Sequence, residues 1–122
     1  MTIEQKAKQT VSKLLQKTFK GELKWSRVRE VEPLAAGSND VIDAAYTTEY
    51  LGTQFALCRV RFQTSPDGET YYWDERYALM MIDSDRRPIW EFPNEPALTP
   101  LFKKVQLQAE RVEDRLDRFL AS

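Results

Sequence analysis

The spacing of apolar residues predicts a helix at the start of the chain. Between positions 3 and 19 apolar residues recur at three- and four-residue steps, which is the period of one helix face. Thr2, followed three residues later by Gln5, matches a capping box, and Gly21 suits a left-handed stop after the last turn. We therefore expect one amphipathic helix between Thr2 and Gly21.

In the middle of the chain the pattern changes to that of strands. Segments rich in β-branched and aromatic residues are separated by turn residues, of which Ser65-Pro66-Asp67-Gly68 is the strongest signal. A loop is predicted over residues 35–40. The predicted strands are 41–50, 53–63, 70–82 and 88–92.

A second helix is predicted at the end of the chain. Thr99-Pro100 matches an N-cap followed by the first helical residue. The apolar stripe that follows predicts one helix of five turns and consists of Leu101, Val105, Ala109, Val112, Leu116 and Phe119. Residues 21–34 are interpreted as a connection laid across the core, with Trp25 buried between helix and sheet.

These elements predict one α+β domain over residues 1–122. Its architecture is a four-stranded antiparallel β-meander with the N- and C-terminal helices packed on one face. The length of 122 residues suits a single domain, and 42% hydrophobic with 30% charged residues is ordinary for a globular protein.

The chain contains no histidine and one cysteine, Cys58. Histidine titrates near neutral pH and is the commonest metal ligand, so the usual chemistry of small enzymes is missing. Cys58 falls on the apolar face of its strand, where a thiol behaves as a small hydrophobe. We expect a non-catalytic protein without a cofactor or a metal site.

Carboxylates offer the remaining route to catalysis. Asp83 and Asp85 lie two positions apart in a predicted turn and could hold a divalent cation for hydrolysis. Asp-Ser-Asp is also ordinary turn chemistry, since these side chains cap their own backbone. With Arg86 and Arg87 adjacent, we favour the turn.

Charge is segregated along the chain. Residues 1–29 hold eight basic residues against Glu4 and Glu22, a net +6, and the remainder carries −7. Such a segment is either a solvated helix face paired with acidic neighbours, which we favour, or a surface for nucleic acid or another polyanion. In the second case the binding residues are Lys13, Lys17, Lys20 and Lys24.

Aromatic residues suggest two further surfaces. Tyr71, Tyr72, Trp73 and Tyr77, with Arg59 and Arg61, either form a stacking platform for single-stranded nucleic acid or, as we favour, belong partly to the core. Ile89, Trp90 and Phe92 lie in a predicted edge strand, where a partner strand can add by backbone pairing. The equally supported alternative is that Trp90 and Phe92 fold under the second helix.

No apolar run is long enough to span a bilayer, and residues 1–21 lack the apolar region of a secretory signal. We therefore expect a cytoplasmic protein with no membrane association. One cysteine agrees with a reducing compartment.

The order helix, Gly21-x-Leu23-x-Trp25, β-meander with a turn at Asp83–Arg87, and final helix resembles small uncharacterised bacterial α+β proteins. The resemblance implies a fold and a bacterial setting and carries no site residue. From the residues themselves we expect an interaction or adaptor module for a protein partner, with a homodimer through the C-terminal stripe as one form. Nucleic-acid binding through the lysines is the alternative.

Overall fold

The computed structural model describes residues 1–35 and 38–122 of the chain. Within these ranges the protein is α+β and contains one antiparallel sheet with strand order β1-β2-β3-β4-β5. The helices are α1 (Ile3–Phe19), α2 (Leu98–Ala109) and α3 (Val112–Leu120), and the strands are β1 (Ser26–Arg27), β2 (Val41–Tyr50), β3 (Thr53–Thr64), β4 (Tyr72–Ile82) and β5 (Pro88–Glu91). The predicted loop at 35–40 includes Ala36 and Gly37, which lie outside the described residues.

The sheet has five strands within the described ranges, so the prediction of four was wrong. The additional strand is β1, in which Ser26 pairs with Thr47 and Arg27 with Tyr46. Two residues are too few to show the alternation by which strands are recognised in a sequence. The four predicted strands are present, and β4 begins at Tyr72 rather than at position 70.

The start and stop signals of α1 are confirmed. The Thr2 hydroxyl accepts the Gln5 backbone N–H at 3.2 Å, and the Gln5 side chain accepts the Thr2 N–H at 2.8 Å. Gly21 has φ +73°, which any other residue adopts with strain. The buried stripe of α1 consists of Ala7, Val11, Leu14 and Thr18.

The single C-terminal helix predicted from the stripe is divided in two. Arg111 adopts φ 52°, the left-handed conformation, and so ends α2 and starts α3 in a new direction. The predicted N-cap at Thr99 was also wrong, because α2 begins at Leu98. Pro100 nevertheless lies in the first turn, where its missing N–H has no helical partner to lose.

Helices α1 and α2 pack on one face of the sheet, whereas α3 does not join them. A shared core joins Val11 and Leu14 of α1 and Leu101 and Phe102 of α2 with sheet residues such as Leu57. The Phe102 ring stacks on Tyr77 of β4 with ring centroids 4.5 Å apart. These two helices therefore cover one sheet face.

The connection between α1 and β1 is held by hydrogen bonds from both helices. The Gln108 amide of α2 accepts the Trp25 N–H at 2.9 Å and donates to the Leu23 carbonyl at 3.0 Å. The Trp25 indole donates to the Thr18 hydroxyl at 3.0 Å and is only 4% exposed. The burial predicted for Trp25 is confirmed.

The opposite sheet face is covered without an α-helix. Its centre is made of small buried side chains, namely Ala45, Ala56, Cys58 and Ala78. Val28 and Leu34 pack against this surface, and Leu34 belongs to a 3-10 helix over Glu32–Ala35. Small strand residues allow the connecting chain itself to lie close enough to exclude water.

Replacing Trp25 with alanine is expected to lower the free energy of unfolding by about 3–5 kcal/mol, since it removes a buried indole and the hydrogen bond that the indole donates to the Thr18 hydroxyl. Chemical denaturation of both proteins measures this. Trp73→Ala is the matched control, because Trp73 is 52% exposed and its removal leaves no cavity. Equal losses in the two variants would contradict a structural role specific to Trp25.

Candidate functional site

An apolar groove of about 350 Å³ lies between the start of α1 and the β4–β5 side of the sheet. We call it the α1–β5 groove. Helix α1 contributes Ile3, Lys6, Ala7 and Thr10, and the sheet contributes Met81, Trp90 and Phe92. The Trp90 and Phe92 rings pack together with centroids 4.8 Å apart, so the sheet side of the groove is a packed aromatic wall.

The three residues predicted for a protein partner occupy different environments. Ile89 is 66% exposed, Trp90 is half-buried and Phe92 is only 3% exposed. Phe92 belongs to the core that α1 and α2 share, whereas Trp90 packs against that core and also lines the groove. A partner in the groove would therefore touch mainly Trp90, with Phe92 beneath it.

The free side of β5 offers little room for a partner strand. The strand has four residues and starts with Pro88, which has no N–H to donate. Its register shifts between Met81 and Ile82, where Trp90 and Pro88 are the paired residues, so Ile89 is an extra residue in a bulge. Proline and bulges are the usual means of blocking edge-to-edge pairing.

The lysines predicted for a polyanion lie on two elements, three of them on α1 or at its end and Lys24 in the segment that follows. Lys13, Lys17 and Lys20 lie on one flank of α1, because they are spaced by four and three residues. Lys24 lies elsewhere, at a polar cleft that also contains Ser84 and Arg86. The flank of α1 therefore carries three of the four lysines predicted to bind a polyanion.

Most of the helical lysine charge is not neutralised by the described part of the protein. Lys17 donates to Glu22 at 2.9 Å, a contact that raises the pKa of Lys17 and lowers the pKa of Glu22. Among residues 1–35 and 38–122 no other lysine of α1 makes an ion pair. The acidic partner of Lys17 is therefore Glu22, which belongs to the same basic segment and not to the acidic region of residues 30–122.

Helix α3 presents a second apolar surface, which we call the α3 stripe. It consists of Val112, Leu116, Phe119 and Leu120, which lie along one side of the helix. Phe119 is 75% and Leu120 is 80% exposed, and none of the described residues of α3 is buried. The first half of the predicted C-terminal stripe is core, and the second half is left exposed.

A partly exposed polar cluster joins the end of α2 to the sheet, and no sequence pattern predicted it. One oxygen of Glu110 accepts from Arg27 at 2.8 Å and from the Tyr46 hydroxyl at 3.1 Å. The Arg27 hydrogen bond is the main cause of a lowered pKa for Glu110, and burial raises the pKa of Tyr46 to about 12. Glu110 is therefore a structural acceptor and a poor general base at neutral pH.

The aromatic stacking platform is not assembled as a unit. Tyr77 is stacked in the core, and Arg59 donates to Asp43 at 2.8 Å. Trp73 is exposed on the β3–β4 hairpin, with the Arg61 guanidinium 5.5 Å from its ring centroid. Its neighbours Asp74 and Glu75 are acidic and exposed, which disfavours a phosphate backbone there.

The remaining catalytic candidates have structural environments. Asp83 accepts backbone N–H groups of Asp85 and Arg87, both at 2.9 Å, and so closes its turn. Burial raises the pKa of the Cys58 thiol to about 12. Within residues 1–35 and 38–122 no group of three or more acidic or cysteine side chains is placed to hold a metal ion.

Comparison with known proteins gives no relative. No family model, no curated protein and no solved structure matches the chain. Among the described residues, moreover, no helix has the length and apolar character needed to cross a membrane.

Replacing Glu110 with glutamine is expected to lower the free energy of unfolding at pH 7 by about 0.5–1 kcal/mol, since a partly exposed ion pair with Arg27 is lost. The pKa of Glu110 is lowered in the folded state, so its charge stabilises the fold above the unfolded pKa of about 4.3. That stabilisation disappears as the pH falls through the folded pKa.

Urea denaturation of both proteins between pH 7 and pH 3 measures this difference. The exposed acid Glu69 of the β3–β4 turn provides the control variant Glu69→Gln. A loss caused by Glu110→Gln that stays constant over the whole pH range would show that its charge is not the source of stabilisation.

Proposed function

We propose that this chain is a non-catalytic protein-interaction module that self-associates through the α3 stripe. The observation that carries the proposal is the exposure of Leu116, Phe119 and Leu120 on one side of α3, with no described residue of this helix buried. Contiguous exposed apolar surface is typical of protein interfaces. The side chains of Cys58, Asp83 and Glu110 each have a structural role, which supports the proposal that the protein is not an enzyme.

The partner that fits the α3 stripe best is a second copy of the same helix. At 100° per residue, Glu113 and Asp117 lie on one side of the stripe, and Arg115 and Arg118 lie on the other. Two parallel copies related by a two-fold axis place the acidic side of one helix against the arginine side of the other. The charges that border the stripe are therefore self-complementary in this arrangement.

The compartment belongs to the same proposal. We place the module in the bacterial cytoplasm, supported by the resemblance of its layout to small bacterial proteins. The chain has one cysteine, and that residue is buried and free. A free buried thiol suits a reducing environment.

We expect the protein to be a dimer in sedimentation equilibrium at micromolar concentrations. The double variant Leu116→Glu, Phe119→Glu is expected to be a folded monomer, since neither residue is buried within one protomer. Its melting temperature should equal that of the parent at protein concentrations low enough to dissociate the dimer. Leu51→Glu is the control, because Leu51 is 84% exposed and lies in the β2–β3 turn, away from α3. A parent protein that is monomeric at about 100 μM would overturn the proposal.

Charge exchange tests the orientation of the pair. Arg115→Glu is expected to weaken the dimer because it places two acids together, and Arg115→Glu combined with Asp117→Arg is expected to restore it. Both are measured by sedimentation at several concentrations. Failure of the double exchange to restore the dimer would exclude the parallel arrangement.

A further inference from the structure

The α1–β5 groove and the lysines of α1 share one flank of the helix. Lys6 lines the groove directly. Lys13 and Lys20 follow at seven and fourteen residues, which returns them to within about 40° of the direction of Lys6. We call these three residues and Lys17 the lysine flank. Apolar groove and cationic row therefore lie along the same side of α1.

The lysine flank carries positive charge that could interact with an acidic ligand. Lys6, Lys13 and Lys20 are exposed and make no ion pair within the described residues. The described lining of the groove contains no acidic side chain, and its one charged member is Lys6. The combination is an apolar slot with positive charge on one border, which is complementary to an apolar ridge bordered by carboxylates.

The geometry of the α1–β5 groove favours a helical ligand over an extended peptide. Strand addition needs a regular free edge, and β5 has Pro88 and a bulge at Ile89. A helix lying alongside α1 needs no backbone hydrogen bonds from the sheet. It can place a large side chain against Trp90 and direct its acidic residues toward Lys6 and Lys13.

We propose that the α1–β5 groove and the lysine flank bind an acidic amphipathic helix of another protein. The groove favours a protein over a nucleic acid, because its aliphatic members Ile3, Ala7 and Met81 contribute nothing to phosphate binding. The excess negative charge of residues 30–122 also repels a long polyanion more than a short helix. This inference rests on the proposed function only in so far as both concern protein binding. The surface it uses is different from the α3 stripe.

The test is fluorescence anisotropy with a labelled peptide of about 18 residues that has Leu and Phe on one helical face and Glu on the others. We expect it to bind the parent protein and to bind the Lys6→Glu, Lys13→Glu double variant at least about tenfold more weakly. Lys8→Glu is the matched control, since Lys8 is exposed on another side of α1 and should leave the affinity within about twofold.

A second variant tests the groove separately from the charges. Thr10→Trp fills the groove from a partly exposed position and is expected to abolish peptide binding with an unchanged melting temperature. A peptide with Lys in place of Glu is expected not to bind. Loss of binding in Lys8→Glu equal to that in the double variant, or no binding of the acidic peptide to the parent protein, overturns the proposal.

Two outcomes distinguish this proposal from the alternatives. A labelled single-stranded oligonucleotide that binds as tightly as the peptide, with the same dependence on Lys6 and Lys13, overturns the proposal in favour of nucleic-acid binding. The Leu116→Glu, Phe119→Glu variant is expected to bind the peptide as the parent does. Binding that disappears in this variant would show that the peptide occupies the α3 stripe and would likewise overturn the proposal.

Discussion

The side chain of Gln108 holds together the parts of this fold that the sheet alone does not connect. Its amide forms two hydrogen bonds to the backbone on either side of Lys24, in the manner of a short strand pairing. This fixes the chain between α1 and β1, positions the Trp25 indole against Thr18, and ties α2 to α1. Because Leu23 and Trp25 both belong to the core shared by α1, α2 and the sheet, these hydrogen bonds also fix part of that core.

The two faces of the sheet are shielded from water by different elements, and this difference determines where apolar surface stays exposed. One face carries large side chains under two helices, and the other has alanine and cysteine at its centre under a single connecting segment. Exposed apolar surface therefore lies beside the start of α1 and on α3, beyond the parts of the sheet that the helices and the connecting segment shield. The candidate surfaces lie where the two covers end.

Signals within a short stretch of sequence predicted most of the fold. The capping box at Thr2, the stop at Gly21 and the turn at residues 65–68 each act through neighbouring residues, and each is present. The helix break at Arg111 was missed because it contains neither glycine nor proline, and a basic residue in the left-handed conformation has no sequence signature. Strand β1 was missed because its pairing partner lies twenty residues away.

The candidate surfaces were predictable only in part, for the same reason. The lysine spacing on α1 was visible, but the proximity of Lys6 to Trp90 requires the tertiary fold. The cluster of Arg27, Tyr46 and Glu110 joins residues 64 and 83 positions apart in the chain, and no local pattern reports it. Composition showed only that no histidine is available as an acid, a base or a metal ligand.

Because the left-handed residue Arg111 separates α3 from α2, α3 can unfold and refold without unfolding the rest of the domain. A helix of nine residues is marginal in water by itself, and α3 has no buried side chain to hold it on the domain. In the monomer its amide protons should therefore exchange far faster than those of α2, although the two helices are neighbours in the chain. Any partner of α3 binds a partly folded population, so its apparent affinity includes the free energy of completing that helix.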